Sequence, residues 1–234
     1  MPTNLELAKD PSTSAEILVE ILGDIYQFTG CEDDYQERCC AARHPNLPID
    51  TLEDIAAHGS MHFQCMVTLN PSITQVAFDL LSQYEDYWPS LVNNPNVPPH
   101  FLVRVARDKR SVPGIEQARW NVASSRLTPP SVLVELSKDS NVGVRVRLAS
   151  RASISRWLGW RLAADPEPIV RATMAECEGL PESLMVRFYE DEHVMVQKRL
   201  MKNKWLTPLD KMWLTAYKNS GMSLQQFLET ANAD

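Results

Sequence analysis

Histidine and cysteine side chains are the first candidates for chemistry in this sequence, because they ligate metals and act as nucleophiles. His58, His62 and Cys65 follow the pattern His-x3-His-x2-Cys, which on one continuous helix would form a metal-binding face. Gly59 and Ser60 separate the two histidines, as in a turn. We therefore expect the histidines to lie on different elements and to be turn residues.

The five cysteines are an odd number, so a framework of disulfides is not expected. The N-terminal stretch 1–22 carries five charged side chains, which does not fit the apolar core of a signal peptide. No segment approaches the roughly 18 to 20 apolar residues of a membrane span. These features predict a cytoplasmic protein that does not associate with a membrane.

The sequence contains no recognisable catalytic motif. A Gly-rich phosphate loop and a Gly-x-Ser-x-Gly elbow are both absent, and these motifs position phosphates and nucleophiles. The acid–histidine pair Glu192-His193 occurs singly. We predict that the protein is not an enzyme, that it has no catalytic or metal-binding residues and that it uses no cofactor.

Charge is strongly segregated along the chain. Residues 1–100 hold 3 Lys and Arg against 15 Asp and Glu, residues 101–161 hold 12 against 4, and residues 162–234 hold 8 against 11. The three parts therefore carry net charges of −12, +8 and −3, which together make the −7 of the whole chain. Separate fields of opposite sign favour the binding of charged partners.

Arginine and tryptophan are intermixed in the basic segment. This combination is typical of hot spots in protein interfaces and of phosphate and base contacts in nucleic-acid binders. The alternatives are a solvated helix face for the arginines and core packing for the tryptophans. The predicted partner-binding residues are Arg104, Arg107, Arg110, Trp120, Arg126, Arg147, Arg151, Arg156, Trp157 and Arg161, whose arginines have no evenly spaced acidic partner.

Two other arginines share a period with aspartates. Arg145 and Arg171 are separated by the same interval as Asp139 and Asp165, and each arginine follows its aspartate by six positions. Asp191 continues the aspartate series after one more such interval. We predict an internal ladder of Asp–Arg pairs, since bidentate pairing suits partly buried helix ends. Arg145 and Arg171 are therefore predicted to be structural.

A proline-containing phrase of the form Asn/Ser-Pro-x-(Leu/Ile/Val)-(Thr/Pro/Ser) recurs along the chain. It is clear at residues 44–48, 70–74 and 94–98 and weaker further on. Its apolar position falls at residues 47, 73, 97, 127, 154, 180 and 206. Most of these steps are nearly equal, and such regular recurrence indicates a repeat protein.

Local physical chemistry predicts the shape of one unit. Thr128 with Pro129, and Thr207 with Pro208, suit an N-cap followed by the first helical position. Apolar residues then recur at helical spacing, a polar break follows, and a second short helix ends before the next Asn-Pro, because a residue before proline disfavours the helical region. Each unit is predicted to be a helix, a turn, a shorter helix and an extended corner.

Stacked units bury an apolar spine that one hairpin alone cannot bury. We predict an all-α fold, a right-handed helical solenoid of about seven to eight repeats of roughly 26 residues. Residues 1–43 would form the N-terminal cap and a divergent first repeat, residues 44–205 the array, and residues 206–234 the C-terminal capping helices. The cap residues would be Trp213, Tyr217, Ser223, Leu224, Phe227 and Leu228.

The sequences of residues 144–149 and 169–175, together with the Asn-Pro-x-Val-Pro corner, resemble the leucine-rich repeat variant family, which is similar in style to HEAT repeats. The resemblance covers about residues 44–208 and implies units that pair an α-helix with a shorter α or 3₁₀ segment. It says little about function, since solenoids host many roles. The copies are degenerate, and Pro89 and Pro113 are expected to interrupt the second helix of two units.

The resemblance also implies an iron–sulfur cluster on N-terminal cysteines. Such a site needs about four thiolates on suitable loops. Cys31, Cys39 and Cys40 lack a Cys-x2-Cys chelate, and Cys65 lies further along the chain. Buried structural thiols are therefore the favoured interpretation.

Repeats, segregated charge and missing catalytic motifs favour a non-enzymatic protein–protein interaction scaffold or adaptor. It could be an inhibitor of the immunity type, in which the acidic N-terminal part meets a basic partner, or its +8 segment could bind an acidic one. The alternative is a nucleic-acid-binding HEAT-like protein, similar in style to alkylpurine DNA glycosylases. A pI near 5.3 and the −12 segment argue against that alternative.

Overall fold

The computed structural model of the chain describes residues 2–26, 35–151, 154–222 and 226. All regular structure within these ranges is helical, so the predicted all-α class is confirmed. The chain forms two compact units, residues 1–129 and 130–234. Part of the predicted corner (152–153) and the predicted cap residues Ser223, Leu224, Phe227 and Leu228 lie outside the described residues.

The first unit is built from short helices that pack mainly on near neighbours in the chain. Its described α-helices are α1 (Asn4–Lys9), α2 (Ala15–Leu22), α3 (Tyr35–Ala42), α4 (Ile49–His58), α5 (Met61–Thr68), α6 (Gln75–Leu81), α7 (Trp88–Val92), α8 (Pro99–Arg107) and α9 (Pro113–Ser124), with a 3₁₀ turn at Glu85–Tyr87. Apolar residues at helical spacing, such as Leu52 and Ile55 in α4, are fully buried. Phe101 packs edge-to-face against both Phe78 and Trp88.

The second unit alternates two kinds of helix. Its described helices are α10 (Pro130–Leu136), α11 (Val142–Ala149), α12 (Arg156–Ala163), α13 (Pro168–Met174), α14 (Glu182–Tyr189), α15 (Val194–Lys202) and α16 (Pro208–Ser220). α12 packs on α14 and α14 on α16, while α11 packs on α13 and α13 on α15. The unit therefore has two layers of helices, with buried Leu158, Leu162 and Leu200 between them.

Several helix starts follow from N-capping. The Thr74 hydroxyl accepts from the backbone N–H of Ala77 at 3.1 Å, and Thr207 forms a reciprocal capping box with Asp210. Ser155 caps α12. A cap satisfies N–H groups that have no partner within the helix.

Three prolines occupy positions that the sequence interpretation placed wrongly. α10 begins at Pro130, not at Pro129, because a residue that precedes proline is pushed out of the helical region. The hydroxyl of Thr128 consequently donates to the carbonyl of Val122 and does not cap α10. Pro89 and Pro113 lie in the first turns of α7 and α9, where a missing N–H costs nothing, so they start helices and do not interrupt them.

Buried asparagines tie three of the corners to the preceding corner. The side-chain amide of Asn70 donates to the carbonyls of Ala42 and His44, both at 2.9 Å. Asn94, at the next corner of the first unit, donates in the same way to the carbonyls of Thr68 and Asn70. In the second unit, the side-chain amide of Asn203 donates to the carbonyls of Ala175 and Cys177. These bonds satisfy carbonyls that a buried corner would otherwise leave without a donor.

The predicted Asp–Arg ladder is confirmed in the second unit. Arg145 donates to both carboxylate oxygens of Asp165 at 2.8 and 3.0 Å and to the carbonyl of Asp139 at 2.7 Å. Arg171 repeats the arrangement with Asp191 and the carbonyl of Asp165. Both guanidinium groups are buried. Arg145 joins the loop before α11 to the loop before α13, and Arg171 joins the loop before α13 to the loop before α15.

Replacement of one corner asparagine tests the contribution of the asparagine bonds to stability. Asn94→Ala leaves two buried carbonyls without a donor, so the free energy of unfolding should fall by about 2–4 kcal/mol in urea denaturation. The control is Asn93→Ala, which removes an exposed amide from the neighbouring residue and should change stability by less than about 0.5 kcal/mol. Equal losses in the two variants would contradict the role of the corner asparagine.

The ladder also predicts a pH dependence. Burial raises the pKa of Asp191, but bonds from Arg171 and from the N–H of His193 outweigh it and hold that pKa below its ordinary value. A lowered folded-state pKa contributes stability above the unfolded pKa of about 3.9 and loses it as pH falls. Asp191→Asn should therefore cost about 3 kcal/mol at pH 7, and the deficit should shrink towards pH 3.

The matched control for this pH dependence is Glu182→Gln, which removes the same charge from an exposed position. Its stability should follow that of the wild type closely at both pH values. A deficit of Asp191→Asn that is the same at pH 7 and pH 3 would show that charge pairing with Arg171 is not its cause.

Candidate functional site

The predicted partner-binding residues fall in both units, five in each. Most are exposed, and Arg147 and Arg151 are half-buried. Trp120 and Trp157 have 36% and 57% of their surface exposed, so core packing does not account for these two tryptophans. The fully buried tryptophan is Trp88, with 2% exposure.

In the first unit, two of the predicted arginines interact within the fold. The guanidinium of Arg104 lies 4.9 Å from the ring centroid of Trp88, in cation–π range. Arg110 forms ion pairs with Asp108 and, at 2.6 Å, with Glu85. Arg110 therefore has two acidic partners, one two residues away and one on another element. Neither lies at the repeat spacing, so the prediction that Arg110 has no evenly spaced acidic partner is confirmed.

The other first-unit candidates are Arg107, Trp120 and Arg126. All three are exposed, and Arg126 forms no ion pair with any residue that the structure describes. A recess of this unit lies near the start of the chain, between Val19 and Asp54, and none of the three candidates lines it. The first unit therefore offers exposed cations that lie away from this recess.

In the second unit, helix α12 carries most of the candidates and presents them on two faces. Trp157, Trp160 and Arg161 have the i, i+3, i+4 spacing of one helix face, whereas Arg156 and Gly159 share another. The two faces line different cavities. Helix geometry thus divides a short stretch of sequence between two separate sites.

The first face lines a groove that we call the helix-face groove. It consists of two adjoining recesses of about 620 and 1040 Å³, which share Trp160, Ala164, Asp165 and Pro166. Other residues that line the groove include Lys138, Trp157, Arg161, Arg187, Glu190 and Tyr217. A groove with an exposed indole and several cations can hold an extended chain with acidic side chains.

Two arginines of this groove are held in equivalent positions. Arg161 donates through Nε to the hydroxyl of Ser137 at 2.9 Å. Arg187 follows it at the interval of the Asp–Arg ladder and donates through Nε to the carbonyl of Ala163 at 3.1 Å. In both, the bond reaches 24 residues back along the chain. The Nη groups of both side chains make no hydrogen bond with another described residue and can bind carboxylates.

The opposite end of the groove is acidic. Glu190 accepts from the hydroxyl of Tyr217 at 2.6 Å, and this bond raises the pKa of Tyr217. The carboxylate of Glu192 is almost fully exposed and lies 3.6 Å from Arg171. The groove therefore runs from a cationic end at Lys138 and Arg161 to an anionic end.

A second cavity of the same unit was missed by the sequence interpretation. We call it the corner pocket; it has a volume of about 820 Å³ and is lined by Arg151, Arg156 and Trp205 among others. Gly159 also lines it, in the interior of α12, where glycine costs about 0.5–1 kcal/mol relative to alanine. A glycine inside a helical pattern is therefore the feature of the sequence from which this pocket could have been predicted.

Arg147 and Arg151 are less accessible than predicted. Burial, followed by the nearby guanidinium of Arg147, lowers the pKa of Arg151. Both side chains are half-buried, so charge reversal at either would affect stability as well as binding. Arg156 and Arg161 are exposed and are the more suitable positions for testing.

The histidines lie on different helices, so the prediction of separate elements is confirmed. The expectation that they are turn residues is wrong, because both are helical. His58 ends α4 and pairs with Asp54 at 3.0 Å, whereas the ring of His62 in α5 is 2.7 Å from the hydroxyl of Tyr35. Across the described ranges, no cluster of three or more His, Cys, Asp or Glu side chains is placed to hold a metal ion.

The described cysteines carry free thiols. Burial raises the pKa of the Cys39 and Cys177 thiols, which keeps both protonated and poorly nucleophilic at neutral pH. Cys31, the remaining member of the predicted N-terminal cysteine group, lies outside the described residues.

No protein-family model matches the chain, and searches of curated proteins and of solved structures give no match. None of the helices that the structure describes combines the length and apolar character needed to cross a bilayer.

Proposed function

We propose that the chain is a right-handed α-solenoid of about seven to eight repeats of the leucine-rich repeat variant or HEAT-like type. The support is a constant register of contacts. In the second unit, Arg145 and Arg171 bond equivalent groups one period apart, as do Arg161 and Arg187. In the first unit, Asn94 repeats the bonds of Asn70.

On this scaffold we place a non-enzymatic function, the binding of another protein. The single observation that carries the proposal is the exposed Trp157 beside Arg161 in the helix-face groove. An aromatic anchor surrounded by arginine is the composition of an interface hot spot. The partner segment would be extended, with an apolar side chain against Trp157 and acidic side chains towards Arg161, Arg187 and Lys138.

The free thiols of the described cysteines suit a reducing compartment, so a cytoplasmic location is part of the proposal. Binding by the groove also suits an adaptor or an inhibitor of the immunity type. In either role, the scaffold contributes shape and charge and no reactive group.

Nucleic-acid binding is the second candidate, and the same tryptophan favours it. An exposed indole next to arginine can stack on a base while the guanidinium contacts a phosphate. The acidic end of the groove, with Glu190 and Glu192, opposes it because these carboxylates repel a phosphate backbone.

A photo-crosslinking amino acid at position 157 tests the protein-binding proposal. In living cells it should yield a covalent adduct with one segment of one protein, since the side chain would contact that segment directly. The same amino acid at Val194, which is equally exposed in the same unit, should yield no such adduct. Adducts with many unrelated proteins at both positions would contradict the proposal.

Charge reversal then tests the arginines of the groove. With the crosslinked partner in hand, Arg161→Glu combined with Arg187→Glu should weaken its binding at least tenfold by isothermal titration calorimetry, because two attractive contacts become repulsive. Arg156→Glu, on the other face of α12, should bind almost normally. Unchanged affinity of the double variant would remove the groove as the site.

A gel shift with duplex and single-stranded DNA tests the second candidate. If the protein binds protein segments only, neither DNA should shift at 50 mM salt. A shift that weakens steeply between 50 and 200 mM salt and is lost in Trp157→Ala would instead support nucleic-acid binding, because release of counterions makes such binding salt-dependent.

A further inference from the structure

The asparagine tie between corners is altered beside the corner pocket. Asn70, Asn94 and Asn203 each use two amide hydrogens to bond two carbonyls. The equivalent residue one period before Asn203 is Cys177, whose thiol donates to the carbonyl of Ala149. A thiol has one hydrogen, so it cannot form the second bond, and the next equivalent position upstream is Arg151.

A missing side chain enlarges the space at this corner. Gly159 occupies the position that corresponds to Leu133, 26 residues earlier, and to Met185, 26 residues later. A Cβ atom at Gly159 would lie 3.7 Å from both Ile154 and Met174, which is ordinary contact. Sterics therefore do not require glycine here, and its effect is to leave the pocket open.

Much of the pocket lining is apolar. It includes Ile154, Met174, Leu180 and Leu184, together with the half-exposed Trp205. A volume of about 820 Å³ falls within the range of small-molecule sites, which are mostly apolar with a few convergent polar groups.

The charged residues that line the pocket are Arg151, Arg156, Glu176 and Glu178. Glu176 is engaged by Arg199 at 3.0 Å, and Arg156 forms no ion pair with a residue of the described ranges. Two arginines therefore stand against one remaining acid, Glu178, and this balance favours an anionic group at the arginines.

We propose that the corner pocket binds a free organic anion with an aliphatic tail, a medium-chain carboxylate. The carboxylate would bind Arg156 and Arg151, and the tail would lie on Met174 and Leu180. The lowered pKa of Arg151 agrees with this placement, because a nearby anion stabilises a partly desolvated cation. The pocket shares no lining residue with the helix-face groove, so this site is independent of partner binding there.

Titration of the full-length protein with decanoate tests the proposal, with quenching of tryptophan fluorescence and calorimetry as readouts. Decanoate should bind with one site, whereas decanol, decyltrimethylammonium and acetate should each bind at least tenfold more weakly. Decanol lacks the charge, the ammonium has the opposite charge, and acetate lacks the tail. Equal binding of decanol and decanoate would overturn the assignment of an anion site.

Two variants locate the ligand. Gly159→Leu should weaken decanoate binding at least tenfold because it fills the pocket, and Arg156→Gln should weaken it about fivefold while leaving the affinity for decanol unchanged. Arg126→Gln, an exposed arginine of the other unit, is the charge control and should bind normally. Should Gly159→Leu fail to fold, Gly159→Ala, which meets only ordinary contacts, should fold and bind more weakly.

The outcomes separate this proposal from the proposed function. Absence of decanoate binding, or binding that neither Gly159→Leu nor Arg156→Gln weakens, would overturn the pocket and leave the groove unaffected. Loss of decanoate binding in Arg161→Gln alone would place the ligand in the helix-face groove instead, and would equally overturn the pocket.

Discussion

Buried backbone carbonyls at the turns between helices impose the main constraint on this protein. Short helices joined by tight corners place many carbonyls inside the fold, and each needs a donor. Asn70, Asn94 and Asn203 supply donors at one end of the helices, and Arg145 and Arg171 supply them at the other. The same bonds also join successive corners and loops within each compact unit. One set of side chains therefore both satisfies the buried carbonyls and holds neighbouring helices together.

These bonds end on carbonyls of corners and loops, so they place no requirement on the side chains of the outward helix faces. The apolar positions of α12, such as Leu158 and Leu162, are fixed by packing against neighbouring helices. Trp157 and Arg161 on one face, and Arg156 on another, have no such requirement. Because a helix turns about 100° per residue, one short helix suffices to furnish both the helix-face groove and the corner pocket.

The corner pocket lies where the period is broken. Cys177 stands where other corners have asparagine, and Gly159 stands where adjacent units have Leu133 and Met185. In a globular core a lost side chain would create a void at considerable cost. In the layered helices of the second unit, the same loss opens a pocket to solvent, and the neighbouring helices preserve the backbone around it.

The helical class and the Asp–Arg ladder could be predicted from the sequence, because helical spacing and a regular period are local or periodic signals. Which groups meet outside that period depends on the tertiary structure. Arg110 pairs with Glu85 on another element, and Gly159 opens a pocket that is lined both by Arg151 and Arg156 and by residues as distant as Trp205. These contacts depend on where separate helices are brought together, and no spacing along the chain encodes that distance.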